Sequence, residues 1–245
     1  MINEDKFDDY EPDSSKWTWN NFYNRTYRTL DYWKNLSEEK KEGRYKKATY
    51  TCKNLDKIQI GGDVIFNFKD SYGKPFRELL GNQYNEKAYA RMHHSVLNFS
   101  LIPVTGGLNL NKANGRYCDR LDRFIFYLNQ FIQLKNEDNP LMGIRGRNKD
   151  TILYLKNYII NFDSIEEYFQ AYYLIDSKKT DLVDRFKNSG EEYVNNGATV
   201  ENCKQYLNLV SEFWKYRNEI FKENYGMDIC QLDDGIDINS VEIGL

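Results

Sequence analysis

The chain has little of what usually announces a function. Its 245 residues include only 4 prolines, 4 cysteines and 2 histidines. Cys52, Cys118, Cys203 and Cys230 lie far apart and form no CxxC pair. Zinc-ribbon spacing is therefore absent, and a disulfide framework is not expected in so long a chain. No apolar run approaches the roughly 20 residues of a membrane span, so no membrane contact is expected. The opening stretch, MINEDKFDDYEPDSSK, is acidic and has no apolar h-region of a signal peptide. Together these absences point to a soluble, cytoplasmic protein. The formal net charge of −3 excludes a globally basic nucleic-acid binder, while a local basic groove stays compatible with it. Gly106-Gly107 has neither GxGxxG nor Walker spacing, no GxSxG elbow occurs, and no cysteine has a histidine near it in sequence. No cofactor and no metal site is expected.

What the chain does have is aromatic mass: 20 Tyr, 14 Phe and 4 Trp. Tyrosine buries a ring while its hydroxyl stays near water, so such a chain can build a core that shades into polar surface. Heavy use of Tyr, Asn, Lys and Ile also fits the codon bias of an AT-rich genome, which limits any argument from aromatics to base stacking. Hydrophobic residues at 40% and charged residues at 29% match a globular chain long enough to bury a sizeable core.

The periodicities alternate between helix and strand early and are helical later. Ser14 or Ser15 is placed to cap a helix over residues 14–42, with Trp19, Phe22, Tyr23, Leu30 and Trp33 inward and Gly43 as the stop. β-branched and aromatic stretches predict short strands around 48–68 and 96–104, with Gly61-Gly62 as a tight turn. Pro75 opens a short helix to residue 80, and a second runs from Asn85 into the histidines. Leu121, Phe124, Ile125, Leu128, Phe131 and Ile132 form a one-sided stripe on a helix over 119–134. A loop over 136–149 leads to helices over 150–161, from a Ser164–Glu167 capping box to 175, and over 180–188. Thr199 opens the longest helix, with Val200, Cys203, Leu207, Val210, Trp214 and Phe221 near heptad spacing. The expected fold is α+β and predominantly α-helical: a helical bundle with a small β-sheet or β-hairpin patch in its first half. A flexible N-terminus (1–13) precedes one α-rich domain (14–226), and an acidic C-terminal tail (227–245) follows. That tail, with alternating Ile, Val and Leu, is suited to add as an edge strand or to fold over a basic groove.

The stretch RMHHSVLNFSLIPVTGGLNLNK, residues 91–112, holds both histidines. Neighbours on a helix point about 100° apart, so His93 and His94 cannot serve one metal by adjacency alone. Arg91 stands two residues before His93, and the turn Gly106-Gly107 with Asn98, Asn109 and Lys112 follows one strand later. A neutral imidazole near Arg and Lys is the minimum set for metal-independent RNA cleavage: acid-base group and phosphate clamp. His93 and His94 are the candidate catalytic residues, and Asn98, Gly106, Gly107 and Asn109 the candidate turn. Basic residues gather twice more. Lys112, Arg116, Arg120 and Arg123 surround the start of the 119–134 helix, with Arg120 and Arg123 expected on a solvent-facing flank. Arg145, Arg147 and Lys149 alternate along the glycine-loosened GIRGRNK. Glycine lets a backbone approach phosphate and arginine can clamp it bidentately, so both stretches are candidate phosphate contacts.

Asn98, Leu101, Asn109 and Lys112 resemble, in order, the strand, turn, Asn and basic residue that follow the catalytic motif of HNH-type endonucleases with a restriction module. The resemblance implies nuclease chemistry. It departs from the family at His93 and His94, which sit just before the strand and follow Met92 instead of an acid. HHSVLNFSLIPVTGGLN followed by DRLDRFIFYL is similar to a group of bacterial proteins from AT-rich Firmicutes, which implies a phage-defence or toxin setting. FWKYRNEIF resembles the Arg-Asn helix of HEPN ribonucleases, but the histidine those need after the Arg is missing.

Two functions follow as expectations. One is a protein that works through contacts with an as yet unidentified protein partner, as interaction protein, sensor or effector. The alternative is a nuclease-like or RNA- or DNA-binding effector using His93 and His94 with Arg91 and Lys112.

Overall fold

A computed structural model describes residues 36–39, 47–51, 57–93, 95–103, 113–115, 118–134, 162–173, 175–176, 179–226, 228–232 and 238–241. The described part is mostly helical. Strands β1 (Leu36–Glu39), β2 (Lys47–Thr51), β3 (Lys57–Val64) and β4 (Phe99–Pro103) pair antiparallel in that order. The ribbon β5 (Ala113–Gly115) and β6 (Cys118–Arg120) leads into α3 (Leu121–Leu134).

Two expectations fail in this first half. The helix drawn over 14–42 is a strand at 36–39; the rest of that range lies outside the described residues. Gly61-Gly62 makes no turn. β3 runs straight through it, with Gly61 opposite Ile102 and Gly62 opposite Leu101. A glycine pair weakens a strand without ending it, and here the five-residue ladder to β4 outweighs the local turn signal.

Between β3 and β4 the chain forms α1 (Lys74–Leu80), with Pro75 in its first turn, and α2 (Glu86–Met92). The Asn85 side chain caps α2 by accepting from Ala88 N–H at 3.3 Å. After β6 the described elements are helices: α3, α4 (Ile165–Tyr173), α5 (Thr180–Asn196), α6 (Val200–Tyr225), the short α7 (Ile229–Leu232) and a 3-10 turn at Ile238–Val241. Thr199 and Asn202 cap α6 reciprocally, each side chain accepting from the other's backbone N–H at 3.1 Å. Ser164 accepts from Glu167 N–H at 3.3 Å, and the Glu167 carboxylate accepts from Asp163 N–H at 2.9 Å.

Helix α5 runs eight residues past its expected end at Asn188. Just past that end, Ser189-Gly190 is a contact between helices. A Cβ on Gly190 would collide with the Asp122 carbonyl of α3, so glycine is what lets α5 and α3 approach.

The core is aromatic and continuous. Phe66 lies at its centre, edge-on to Phe213 at 5.1 Å and Trp214 at 5.8 Å between ring centroids, and stacked on Phe186 at 6.3 Å. Every member of the stripe Leu121, Phe124, Ile125, Leu128, Phe131 and Ile132 is buried. Ser100 of β4 donates to the Tyr172 carbonyl of α4, tying sheet to bundle. Part of the acidic tail is also docked: a 3-10 turn, Ile238–Val241, buries both end residues. Among the described residues no helix is long and apolar enough to cross a membrane.

Candidate functional site

The histidine segment begins as the end of α2. Arg91 is exposed, and His93 is the half-buried residue that closes the helix, its N–H donating to Ala90 C=O at 3.3 Å. Ser95 then opens a 3-10 turn, Val96–Asn98, with its hydroxyl accepting from Leu97 N–H at 3.1 Å. His94, Lys112, Arg116, Gly106, Gly107, Asn109, Arg145, Arg147 and Lys149 lie outside the described residues.

Asn98 does more than shape a turn. Its Oδ1 accepts from Phe66 N–H at 3.0 Å and from Trp214 Nε1–H at 3.3 Å. Its Nδ2 donates to Phe66 C=O at 2.8 Å and to His93 C=O at 3.2 Å. A primary amide has two donors and two acceptor directions, so this fully buried side chain is saturated. It joins the end of β3, the α2 terminus and α6 through one residue.

Arg120 departs from the expected solvent-facing flank, whereas Arg123 stays partly exposed. Arg120 is 1% exposed and precedes α3, in β6, so helical spacing never governed it. Its Nε and Nη2 reach the Asp122 carboxylate at 2.9 and 2.6 Å. Its guanidinium carbon sits 4.2 Å from the centroid of the Tyr193 ring and 4.1 Å from that of Tyr206. Asp122 also accepts from Arg123 N–H at 2.8 Å and from Ser189 Oγ–H at 2.7 Å, which fills its acceptor directions. Burial by itself would lower the Arg120 pKa, but the adjacent Asp122 carboxylate and its hydrogen bond outweigh that and hold it above the ordinary value. The same burial pushes the nearby Cys203 thiol up, against the pull of Arg120, away from a reactive thiolate. Arg123 is half-buried, 5.7 Å from the Tyr127 ring centroid.

The Arg-Asn pair that resembles HEPN ribonucleases has structural partners. Arg217 is buried, donates to Phe99 C=O at 2.8 Å and Val96 C=O at 3.4 Å, and lies against the Phe213 and Phe221 rings. Asn218 holds the start of α7, accepting from Ile229 N–H at 2.8 Å and donating to Asp228 at 3.1 Å.

The structure thus brings His93 and Asn98 together and removes Arg120 to a separate interior centre. Sequence reasoning missed the partners of that centre, Ser189, Tyr193 and Tyr206. The available signal was the Ser-Gly pair inside a helical pattern, which marks a close helix contact as readily as a helix end. Among the described residues no three His, Cys, Asp or Glu side chains gather into a metal-holding group. No family model, curated protein or solved structure matches the chain.

Proposed function

We propose that this chain is a non-catalytic interaction protein, acting as sensor or effector through contacts with another protein. The observation that carries this reading is how the interior polar groups are used. Asn98, Asp122 and Arg120, three of the polar side chains best suited to chemistry by burial and position, are engaged in holding backbone or neighbouring elements. On α5 and α6 the exposed charged side chains are mostly acidic. α5 presents Asp181, Asp184 and Glu191, and α6 presents Glu201, Glu219 and Glu223, against fewer exposed bases such as Arg185 and Lys222. Such a face repels phosphate backbones and favours a protein partner of opposite charge. The defence or toxin setting implied by residues 93–109 and 119–128 is the context we assign to that partner.

The test is reconstitution. A protein captured by the full chain from its host is expressed alone and remixed, with mass followed by light scattering during size exclusion. A complex of fixed stoichiometry with Kd of about 10 µM or tighter, weakening as salt rises, is expected. A strictly monomeric chain from which no complex re-forms would overturn the reading.

A further inference from the structure

The turn Ile238–Val241 is held in the manner of a bound peptide. Ile238 and Val241, three residues apart, are both buried, while Asn239 between them is exposed. Two donors, the cap residue of α2 and a residue within it, read consecutive main-chain carbonyls of the turn. Asn85 Nδ2 donates to Ser240 C=O at 3.1 Å, and Tyr89 Oη donates to Val241 C=O at 2.7 Å. Helix α6 packs against the turn alongside α2. Two apolar anchors plus main-chain carbonyls are features that any short helical turn of another protein can present.

The host side is built without the turn. The other end of the Asn85 amide already caps α2 through Ala88 N–H. The Tyr89 ring is fixed against Phe68 at 4.8 Å and Trp214 at 5.9 Å. Its hydroxyl has a second acceptor, Leu207 C=O of α6, at 3.5 Å. Burial pushes the Tyr89 pKa well up, so the hydroxyl stays a donor across the physiological range. The Asn85 cap and the Tyr89 ring packing do not depend on the turn, which favours a groove that keeps its shape when the turn leaves. Upstream, the sequence DDGID at 233–237 joins the turn to α7 with one apolar residue and a glycine.

We propose that the α2/α6 groove is a docking site for a partner segment presenting two apolar residues three apart on a helical turn, and that residues 238–241 occupy it in cis. The proposal rests on the interaction-protein reading and names the chemistry of the partner. A short tether gives the cis turn an effective concentration of about millimolar. A partner must outbind that, so the turn sets a threshold and screens weak ligands.

The experiment uses the full chain and, as probe, a fluorescein-labelled peptide of residues 234–245, read by anisotropy. The unaltered chain should bind it weakly. The Ile238→Asp, Val241→Asp double variant should bind it at least about tenfold more tightly. Adding Tyr89→Phe should weaken that binding about fivefold, and a peptide carrying both aspartates should not bind. A variant that keeps its near-UV circular dichroism yet takes up no peptide overturns the proposal. Should the variant unfold, hydrogen exchange on the unaltered chain decides. Amides of 238–241 exchanging through an opening that leaves α6 protected are expected, and exchange only with global unfolding overturns the groove. A dimer whose population tracks release of the turn makes a second copy the occupant and overturns the partner assignment. Peptide uptake without any re-formable complex removes the functional reading alone, whereas a complex without peptide uptake removes the groove alone.

Discussion

The two interior polar centres solve the same problem with different chemistry. At Asn98 a neutral amide satisfies four polar groups, from Phe66 just past β3, His93 just past α2 and Trp214 of α6, at N···O distances between 2.8 and 3.3 Å. At Arg120 a full ion pair is buried, with Asp122 gripping the guanidinium from one edge and tyrosines covering it. The neutral centre avoids the charge-desolvation penalty, so each bond adds modestly to stability. The charged centre must first offset the removal of two ions from water, and its net contribution is small even though loss of one partner is severe. The comparison teaches that burial of a functional-looking residue says little until its partners are counted. Both centres carry residues that sequence marked for function, and both are committed to the fold.

That difference can be broken by substitution. Asp122→Ala leaves Arg120 buried without its carboxylate and should cost about 3–5 kcal/mol in a urea titration. The double change Arg120→Met, Asp122→Leu should recover most of that loss, because apolar groups of similar volume replace a pair of little net worth. A double variant as unstable as the single one would show that the ion pair is itself strongly stabilising. Asn98→Ala should cost less, about 2–3 kcal/mol, since it orphans neutral groups only. A larger loss there than for Asp122→Ala would reverse the ranking of the two centres.

The smallest effect is at the surface. Hydrogen bonds from Asn218 and then Lys222 hold the Asp228 carboxyl below its ordinary pKa. A depressed folded-state pKa stabilises above the unfolded value and is lost as pH falls through the folded one. Asp228→Asn should therefore destabilise slightly near neutral pH, by no more than about 0.5 kcal/mol given solvent screening. The difference from the unaltered chain should vanish once pH falls below the carboxylate range, as read by thermal melts across pH. A gap that persists in acid would mean that the contribution is not the charge.

From α1 onward, local signals carried the starts of most helices among the described residues. Earlier they misread 36–39, which is a strand, and the expected helix over 150–161 lies outside the described residues. The caps at Asn85 and Thr199, Pro75 in the first turn of α1, and the inward stripe from Leu121 to Ile132 are decided by neighbours within a few residues. What sequence hid depends on distant partners. Arg120 lies between the Tyr193 and Tyr206 rings of other helices and is paired with Asp122, which Ser189 holds from α5. The helix drawn over 180–188 stops short because nothing near Gly190 in sequence says that Asp122 fills its empty side. Asn98 was legible as an ordering residue, but its reach to Trp214 spans 116 positions and leaves no local mark. The docking of Ile238 and Val241 beneath an acidic stretch was likewise masked by the charge around them.

Whether the polar groups near the histidines do chemistry at all decides between an interaction protein and a nuclease. Full-length chain incubated with RNA or single-stranded DNA, with and without divalent metal, should leave the nucleic acid intact over hours. Cleavage that is present in the unaltered chain and lost in the His93→Ala, His94→Ala variant would contradict the interaction-protein reading.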